Sequence, residues 1–287
     1  MAYPKPPKSF LTVNIFDISV EPFIHSLCVG YENGLWRDDA FAKHVIAWLP
    51  EFCLTESELK LMDSSNATEL MRKAVNLVYD TEKYEKRGEF GEVFLHIALR
   101  QIYQTIPAIS KIYYKDAVNN TVKGFDAVHV VETPEGAELW LGEVKFYTDS
   151  SRAIRDVVEE LIAHTKIDYL RNEKILIANK LDKDSHHYEW LSKLLDDNTS
   201  LDEVFDVVCI PILITYNSQT VSRHSKTTFE YKSELEKEVL QLRDKIKSKL
   251  ETANIKIKIV VFLIPLLDKA DLIEKLHKKL RGLQACL

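Results

Sequence analysis

Three charged residues in one short region of the chain have the types and spacing of a metal-dependent hydrolytic site. Glu143 and Lys145 are two residues apart in a predicted strand, so their side chains point to the same face. Asp126 lies near the start of the preceding predicted strand, and the turn at 133–136 allows it to lie beside Glu143 in an antiparallel pair. Adjacent carboxylates are neutralised by a divalent cation, and their hard oxygens suit Mg²⁺ or Mn²⁺. Lys145 would then orient or deprotonate a water, or stabilise the charge on a phosphate.

An ordinary surface hairpin is the alternative, since a Glu-x-Lys triplet is common and the sequence does not set the strand register. The neighbouring residues favour the metal site. Leu139, Trp140, Leu141, Val144 and Phe146 surround the pair and make this the most apolar strand of its region. Charged residues in a largely buried strand require a specific reason to be there.

A predicted helix over residues 88–103 offers a third carboxylate. Its apolar stripe is formed by residues 90, 93, 94, 97 and 98, and Glu89, Glu92 and His96 fall on a different face. Glu92, or alternatively Glu89, is therefore a candidate metal ligand. The simpler explanation is that acidic residues in a first turn stabilise the helix dipole.

Other polar residues carry weaker signals. Arg152, Arg155 and His164, in the helix predicted after the hairpin, could touch phosphate, although an exposed helix surface explains them as well. The pair His186-His187 lacks a third ligand at metal spacing, which argues against a metal role. His129 falls on the strand face opposite Asp126 and is expected to be packed in the core.

The elements that position these residues alternate between helices and strands. We predict an edge strand at 11–20, helices at 40–48, 55–62 and 67–79, strands at 110–114, 125–131 and 137–147, and a helix that begins at 150 or 151. Strands at 174–179, 204–216 and 255–267, a long charged helix at 229–252 and a helix capped by Asp268 complete the pattern. This order predicts an α/β protein whose mixed central sheet is flanked by helices. We expect a mainly helical N-terminal region at 1–85, partner-binding or packed on the core, and a second domain at 86–287 that contains the candidate site and ends in a basic helix-strand-helix at 220–287.

Composition and charge exclude several classes of protein. The 287 residues are 46% hydrophobic and 29% charged, which is typical of a globular protein. No apolar run approaches the roughly 20 residues that cross a bilayer, the N-terminus lacks a secretory signal and the four cysteines are far apart. We therefore expect a cytoplasmic protein without a membrane segment or disulfides. A phosphate-binding P-loop motif is missing, so ATP hydrolysis is not expected.

The basic charge is concentrated at the C-terminal end. The net charge is −6, yet residues 220–287 contain 15 basic and nine acidic side chains, a net charge of +6. This segment predicts contact with a polyanion or an acidic partner, while a solvated helix face remains the alternative.

The helix glutamate, Asp126 and the run Glu143-Val144-Lys145 together resemble the PD-(D/E)xK restriction-endonuclease-like superfamily. Phe125 stands where that motif has proline. More narrowly, most of the chain is similar to the HamA-like nuclease subunits of the Hachiman anti-phage defence system. The similar stretches are GYENGLWRDDAFAKHVIAWLPEFCL, RGEFGEVFLHIALRQIY and GFDAVHVV with LWLGEVKFY.

The resemblance implies a restriction-endonuclease-like nuclease core and a Mg²⁺-dependent DNA endonuclease that hydrolyses phosphodiester bonds. Asp126, Glu143 and Glu92 would bind the metal, and Lys145 would assist the attack of water. It also implies a heterodimer with a superfamily-2-type helicase. The alternatives are a stand-alone restriction or DNA-repair nuclease, and a nuclease fold that only binds its partner. The acidic net charge argues weakly against a nuclease that acts alone.

Overall fold

A computed structural model describes residues 5–78, 88–109 and 124–287 of the chain. Seven of its nine strands form one mixed sheet in the order β1-β2-β9-β8-β7-β6-β5, and β3 and β4 form a separate short hairpin. In chain order, the strands are β1 (Thr12–Asp17), β2 (Phe23–Cys28), β3 (Tyr31–Glu32), β4 (Leu35–Trp36), β5 (Ile106–Ile109), β6 (Ala127–Thr133), β7 (Gly136–Phe146), β8 (Val208–Asn217) and β9 (Lys258–Leu266).

Four neighbouring strands run parallel at the centre of this sheet: β2, β9, β8 and β7. The strands β1, β6 and β5 are antiparallel to their neighbours. β8 and β9 are buried along nearly their whole length, because helices cover both faces of the sheet. Their continuous apolar sequences are those of parallel strands without a solvent-facing side.

Helices form a layer on each face of the sheet. The helices are α1 (Asp38–Ala47), α2 (Leu49–Cys53), α3 (Glu56–Lys60), α4 (Ala67–Val78), α5 (Glu89–Tyr103), α6 (Ser150–His164), α7 (Ile167–Ala178), α8 (Tyr188–Leu194), α9 (Leu201–Val207), α10 (Gln219–Arg223), α11 (Phe229–Ala253) and α12 (Lys269–Cys286). α5 covers one face and contacts α1 and α2, which α4 and α12 adjoin. α6 covers the other face and contacts α7 and α11. The predicted class, a mixed central sheet flanked by helices, is confirmed.

Two glycines allow α5 to lie directly on β7. A Cβ atom at Gly91 would be 2.7 Å from Val144 Cγ1 and 2.9 Å from Phe146 Cβ. A Cβ atom at Gly142 would be 2.6 Å from Leu95 Cδ2. Such distances are too short for carbon atoms, so a Cβ atom at either position would force its neighbours to shift. The contacts also show that Val144 and Phe146 face α5, which leaves Glu143 and Lys145 on the face covered by α6.

The N-terminal region shares the central sheet. β1 is the predicted edge strand, and β2, which the sequence pattern did not predict, joins it to the parallel centre of the sheet. The turn between β3 and β4 is formed by Asn33 and Gly34, both with positive φ, as the Asn-Gly pair indicates. The described part of this region, residues 5–78, therefore combines helices α1–α4 with two strands of the sheet that carries Asp126 and Glu143.

Two predicted strands were wrong in whole or in part. Residues 174–179 form the end of α7 instead of a strand, and the first residues of the predicted strand 204–216 belong to α9. In α7, Ile175 and Leu176 are exposed while Leu170 and Ile177 are buried, which is a helical pattern. The predicted strand at 110–114 lies outside the described residues.

The C-terminal segment is folded onto the body of the protein. α11 buries Tyr231, Leu235, Val239, Leu242, Ile246 and Leu250 along one face. On α12, Lys275 Nζ is 2.6 Å from Asp38 Oδ2, and Lys279 Nζ is 2.6 Å from Asp39 Oδ1. Part of the basic charge of this segment is thus neutralised by α1. Within the described ranges no helix has the length and apolar character needed to span a membrane, and all four cysteines are free thiols.

Candidate active site

The β6–β7 hairpin supplies the register that the sequence leaves open. Thr133 pairs with Gly136 at the turn, and the pairing continues to Ala127 opposite Gly142. One step further, the backbone N–H of Asp126 donates to the carbonyl oxygen of Gly142 at 2.8 Å. Asp126 therefore lies beside Glu143 on the neighbouring strand. Its Oδ2 accepts a hydrogen bond of 2.9 Å from the backbone N–H of Val144, which fixes the carboxylate at this position.

Glu143 and Lys145 form a buried ion pair on the α6 side of the sheet. Each side chain is only 6% exposed, and Lys145 Nζ is 3.2 Å from Glu143 Oε1. Lys145 Nζ also donates to Glu160 Oε2 on α6. The ammonium group is thus held between one carboxylate of the strand and one of the helix.

A polar stripe on α6 matches the polar side of β7. Asp156, Glu160 and His164 are four residues apart, about 6 Å along a helix, and alternate residues of a strand are about 6.6 Å apart. The two spacings agree, so Glu160 reaches Lys145 and His164 reaches Glu143. His164 Nδ1 is 3.2 Å from Glu143 Oε2. Asp156 extends the same stripe beyond the end of β7, where it adds to the effect of burial in raising the pKa of the Tyr147 phenol.

Aromatic and acidic side chains from α7 complete the surroundings. The ring of Tyr169 stacks on His164 with centroids 4.1 Å apart, and Phe125 contacts both rings. Buried Glu173 accepts a hydrogen bond from the backbone N–H of Phe125. Gly124, with φ of +120°, leaves room for this carboxylate, because a Cβ atom there would be 2.6 Å from Glu173 Oε2. These contacts hold the segment that leads into Asp126.

Crowding of acidic groups shifts the ionisation of the site. Burial raises the pKa of Glu143 well above its ordinary value, and nearby Asp126 and Glu160 raise it further, while Lys145 opposes the shift. Burial lowers the pKa of Lys145, but Glu143, Glu160 and Asp126 outweigh it and the pKa is raised. Lys145 is therefore an ammonium at neutral pH, and ionised Glu143 is destabilised unless another positive charge arrives.

The donor set fits a hard divalent cation. Glu143 Oε2 is buried and accepts no hydrogen bond of standard geometry from any part of the chain that the structure describes. A carboxylate oxygen in that condition, beside a second carboxylate, is the kind of group that Mg²⁺ or Mn²⁺ binds. Asp126 and Glu143 are the residues that would hold the ion.

The described contacts do not link the predicted helix ligand to this centre. Glu92 follows Gly91, and α5 lies against the Val144 face of the sheet, whereas Asp126 and Glu143 point to the other face. Glu92 is half-buried, and its role as a metal ligand stays a prediction. His96, on the same helix, is buried 3.5 Å from Glu51 in the layer formed by α2 and α5.

The remaining predicted residues divide into exposed and buried groups. Arg152 and Arg155 are exposed near the start of α6, where both pair with Asp156. His129 is buried and its Nδ1 lies 2.7 Å from Thr105 Oγ1, in agreement with the expected packed position.

Sequence reasoning missed Glu160, Tyr169 and Glu173. The four-residue spacing of Asp156, Glu160 and His164 was the available signal for Glu160, because it marks a polar face on a helix that follows the hairpin directly. No local pattern indicates Glu173, whose contact with the backbone of Phe125 joins residues 48 positions apart.

Comparison with known proteins identifies the family. The HamA family model matches residues 8–280. The chain belongs to the HamA family. Among curated proteins, Anti-bacteriophage protein A of Escherichia coli (strain K12) is 26% identical over 256 residues, which are 83% of this chain and 45% of that protein. The chain thus spans less than half the length of this relative.

Proposed function

We propose that this HamA-family protein is a metal-dependent DNA endonuclease with a PD-(D/E)xK-type centre formed by Asp126, Glu143 and Lys145. The observation that carries the proposal is the crowding of these three charges on one sheet face. Glu143 is 6% exposed, adjoins Asp126 and has a raised pKa. Buried charges in this condition are unfavourable for stability alone, and they are typical of sites that bind a cation.

Each residue has a distinct role in this proposal. Asp126 and Glu143 hold Mg²⁺ or Mn²⁺, which when bound supplies positive charge to the phosphate and to an attacking water. Of the roles open to Lys145, its raised pKa favours charge stabilisation over proton abstraction, since an ammonium group cannot accept a proton. Glu160 holds the Lys145 ammonium in place through a direct hydrogen bond and is a positioning residue.

The family and the name of its relative support a role in defence against bacteriophage. A relative named Anti-bacteriophage protein A matches most of this chain, and the chain belongs to the HamA family. We infer that the protein acts in the bacterial cytoplasm as the nuclease effector of such a system, in a heterodimer with a superfamily-2-type helicase.

The charge distribution favours this arrangement over a nuclease that works alone. Lys275 and Lys279, which would add to a DNA-binding surface, are paired with Asp38 and Asp39. A protein that binds DNA unaided draws on a broad basic surface, and this chain has a net charge of −6. Delivery of DNA by a partner removes that requirement. The experiments below also distinguish the two alternatives, which are a stand-alone restriction or repair nuclease and a nuclease fold that only binds its partner.

The carboxylates can be tested by metal binding and cleavage together. Asp126→Asn and Glu143→Gln are expected to abolish plasmid cleavage in Mg²⁺ and to weaken Mn²⁺ binding in calorimetry, because each removes a ligand. Glu138→Gln is the matched control. Glu138 lies on the same strand, but its carboxylate is paired with Lys258 at 2.8 Å and accepts a hydrogen bond from Trp140.

The outcome separates the competing functions. Cleavage at the wild-type rate by both Asp126→Asn and Glu143→Gln would show that the metal ligands are assigned wrongly. Absence of cleavage in the wild type, with the helicase present, would favour the binding-only alternative. Cleavage that does not depend on the helicase would favour the stand-alone nuclease.

A further inference from the structure

A second group of potential metal ligands lies far from Asp126 and Glu143. Glu132 is near the turn end of β6, and His186 and His187 are in the loop between α7 and α8. Their ligand atoms all lie within 4.8 Å of one another, and among the described residues they are the one group of three or more such side chains this close together. Glu132 is six positions after Asp126 along β6, a distance of about 20 Å in an extended strand. The two centres are therefore separate.

The distance from each histidine nitrogen to the carboxylate is close to the spacing of ligand atoms around a bound zinc ion. His186 Nε2 is 3.8 Å and His187 Nε2 is 3.7 Å from Glu132 Oε1. In a tetrahedral zinc site with bonds of about 2.0–2.1 Å, neighbouring ligand atoms are about 3.4 Å apart. A contraction of a few tenths of an ångström would bring each histidine nitrogen to that spacing from Glu132 Oε1.

One of the three ligands is buried without a hydrogen bond. The His187 side chain is only 10% exposed, and its Nε2 atom, which is aimed at Glu132, is buried with no hydrogen-bond partner among the described residues. A buried polar nitrogen in this state is unfavourable, and a metal ion would satisfy it. This observation is independent of the clustering of the three side chains.

The loop that carries the histidines is held in place by α3. The backbone N–H of His186 donates to Glu56 Oε2 at 3.0 Å. Ser57 Oγ donates to Asp182 Oδ2 at 2.7 Å, at the beginning of the same loop. The loop is therefore anchored to α3 at two points, one of them the backbone of His186 itself.

We propose that Glu132, His186 and His187 form a zinc site that clasps the α7–α8 loop to the β6–β7 hairpin. Two imidazole nitrogens and one carboxylate oxygen are donors that Zn²⁺ accepts, whereas Mg²⁺ prefers oxygen ligands alone. The fourth position is left to water. The sequence pattern gave no reason to expect this site, because the third ligand is about 50 residues away from the histidine pair and meets it only through the fold.

Zinc binding by the full-length, metal-stripped protein tests the proposal. We expect one Zn²⁺ per chain in competition with a chromophoric chelator, the visible absorption of tetrahedral Co²⁺ when cobalt replaces zinc, and a higher melting temperature with zinc. His187→Ala should weaken Zn²⁺ binding by more than the roughly 10–100-fold that losing a hydrogen-bond partner of a ligand typically costs. Glu132→Gln should act in the same direction, and Glu132 is 67% exposed, so this variant is expected to fold.

Two controls make the result specific. His224→Asn alters another histidine beside a glutamate, at 3.2 Å from Glu234, that belongs to no group of three potential ligands in the described ranges. This variant should bind zinc as the wild type does. Glu143→Gln should also retain zinc, which separates this site from the proposed nuclease centre. Absence of zinc binding in the wild type, or equal zinc affinity in the wild type, His187→Ala and Glu132→Gln, would overturn the proposal.

Discussion

Replacing Glu143 by glutamine should stabilise the fold at neutral pH in the absence of divalent cations. The attraction between Glu143 and Lys145, 3.2 Å apart, is about 5 kcal/mol at an effective dielectric constant near 20. Repulsion from Asp126, at the roughly 5 Å between paired positions of neighbouring strands, is about 3 kcal/mol. Loss of hydration on burial adds several kcal/mol, taken as about 4. The balance is about 2 kcal/mol in favour of a neutral side chain, the direction also given by the raised pKa.

The pH dependence of this effect has a definite sign. A carboxyl group whose pKa is raised on folding binds more protons in the folded state, so wild-type stability falls as pH rises from the ordinary glutamate value towards the raised one. Glu143→Gln lacks this titration. Its advantage should therefore be about 2 kcal/mol in urea unfolding above the raised pKa and should vanish below pH ~4, where Glu143 is protonated in both states.

Glu138→Gln serves as the control for that measurement. Glu138 is paired with Lys258, so this variant should be less stable than the wild type by up to ~1 kcal/mol. Two results would refute the argument that the buried Glu143 carboxylate destabilises the fold. One is a Glu143→Gln variant that is less stable than the wild type at pH 7.5. The other is a free energy of unfolding that changes with pH in the same way in Glu143→Gln and in the wild type.

Three further changes test the packing, the lysine and the partner surface. Gly91→Ala should destabilise the fold by about 1–3 kcal/mol in urea unfolding, because its Cβ would meet Val144 and Phe146. Gly282→Ala is the control, since this position lies in α12, its Cβ would meet no described atom within 4 Å, and alanine there should not destabilise the helix. Equal losses of stability in the two variants would contradict the close approach of α5. Burial lowers the pKa of Lys145, and Glu160 is one of the carboxylates that raise it. Glu160→Gln should therefore move the alkaline limb of the pH–rate profile for DNA cleavage to lower pH. An unchanged limb would exclude a role of Glu160 in keeping Lys145 protonated. The third change reverses the charge of three lysines on α11, by Lys245→Glu, Lys247→Glu and Lys249→Glu. This variant should bind the helicase more weakly, in a salt-dependent manner, with little change in melting temperature. Undiminished recovery of the helicase in a pull-down at low salt would exclude this surface from the interface.

The hairpin and its helices were predictable because their signals are local. The turn at 133–136, the apolar strand that follows it and the 3.6-residue stripe of α5 are patterns of neighbouring residues. The short apolar run near residue 175 was mistaken for a strand, since a run of that length does not distinguish a strand from a helix with one buried side. β2 was missed for a related reason, because His25 and Ser26 interrupt its apolar sequence although both are fully buried.

The composition of the candidate site depended more on the fold. Glu143 and Lys145 share a face by strand geometry alone, and the turn brought Asp126 within reach. Glu173 and the triad of Glu132, His186 and His187 are assembled by contacts between elements about 50 residues apart. The direction of the helix that carries Glu92, towards one sheet face or the other, is likewise a tertiary property that no spacing in the sequence determines.

Cleavage by Lys145→Ala at saturating Mg²⁺, with Mn²⁺ affinity measured on the same preparation, tests the proposed nuclease centre most directly. An ammonium group is not a metal ligand, so the variant should bind Mn²⁺ as the wild type does. Its single-turnover rate on DNA, with the helicase present, should fall by at least the roughly 10²–10³-fold that removal of one charge-stabilising donor costs. Lys145→Arg should recover only part of the rate, because a guanidinium group differs in shape and reach. Equal cleavage rates in Lys145→Ala and the wild type, or loss of Mn²⁺ binding in Lys145→Ala, would contradict the role assigned to this residue and with it the proposed centre.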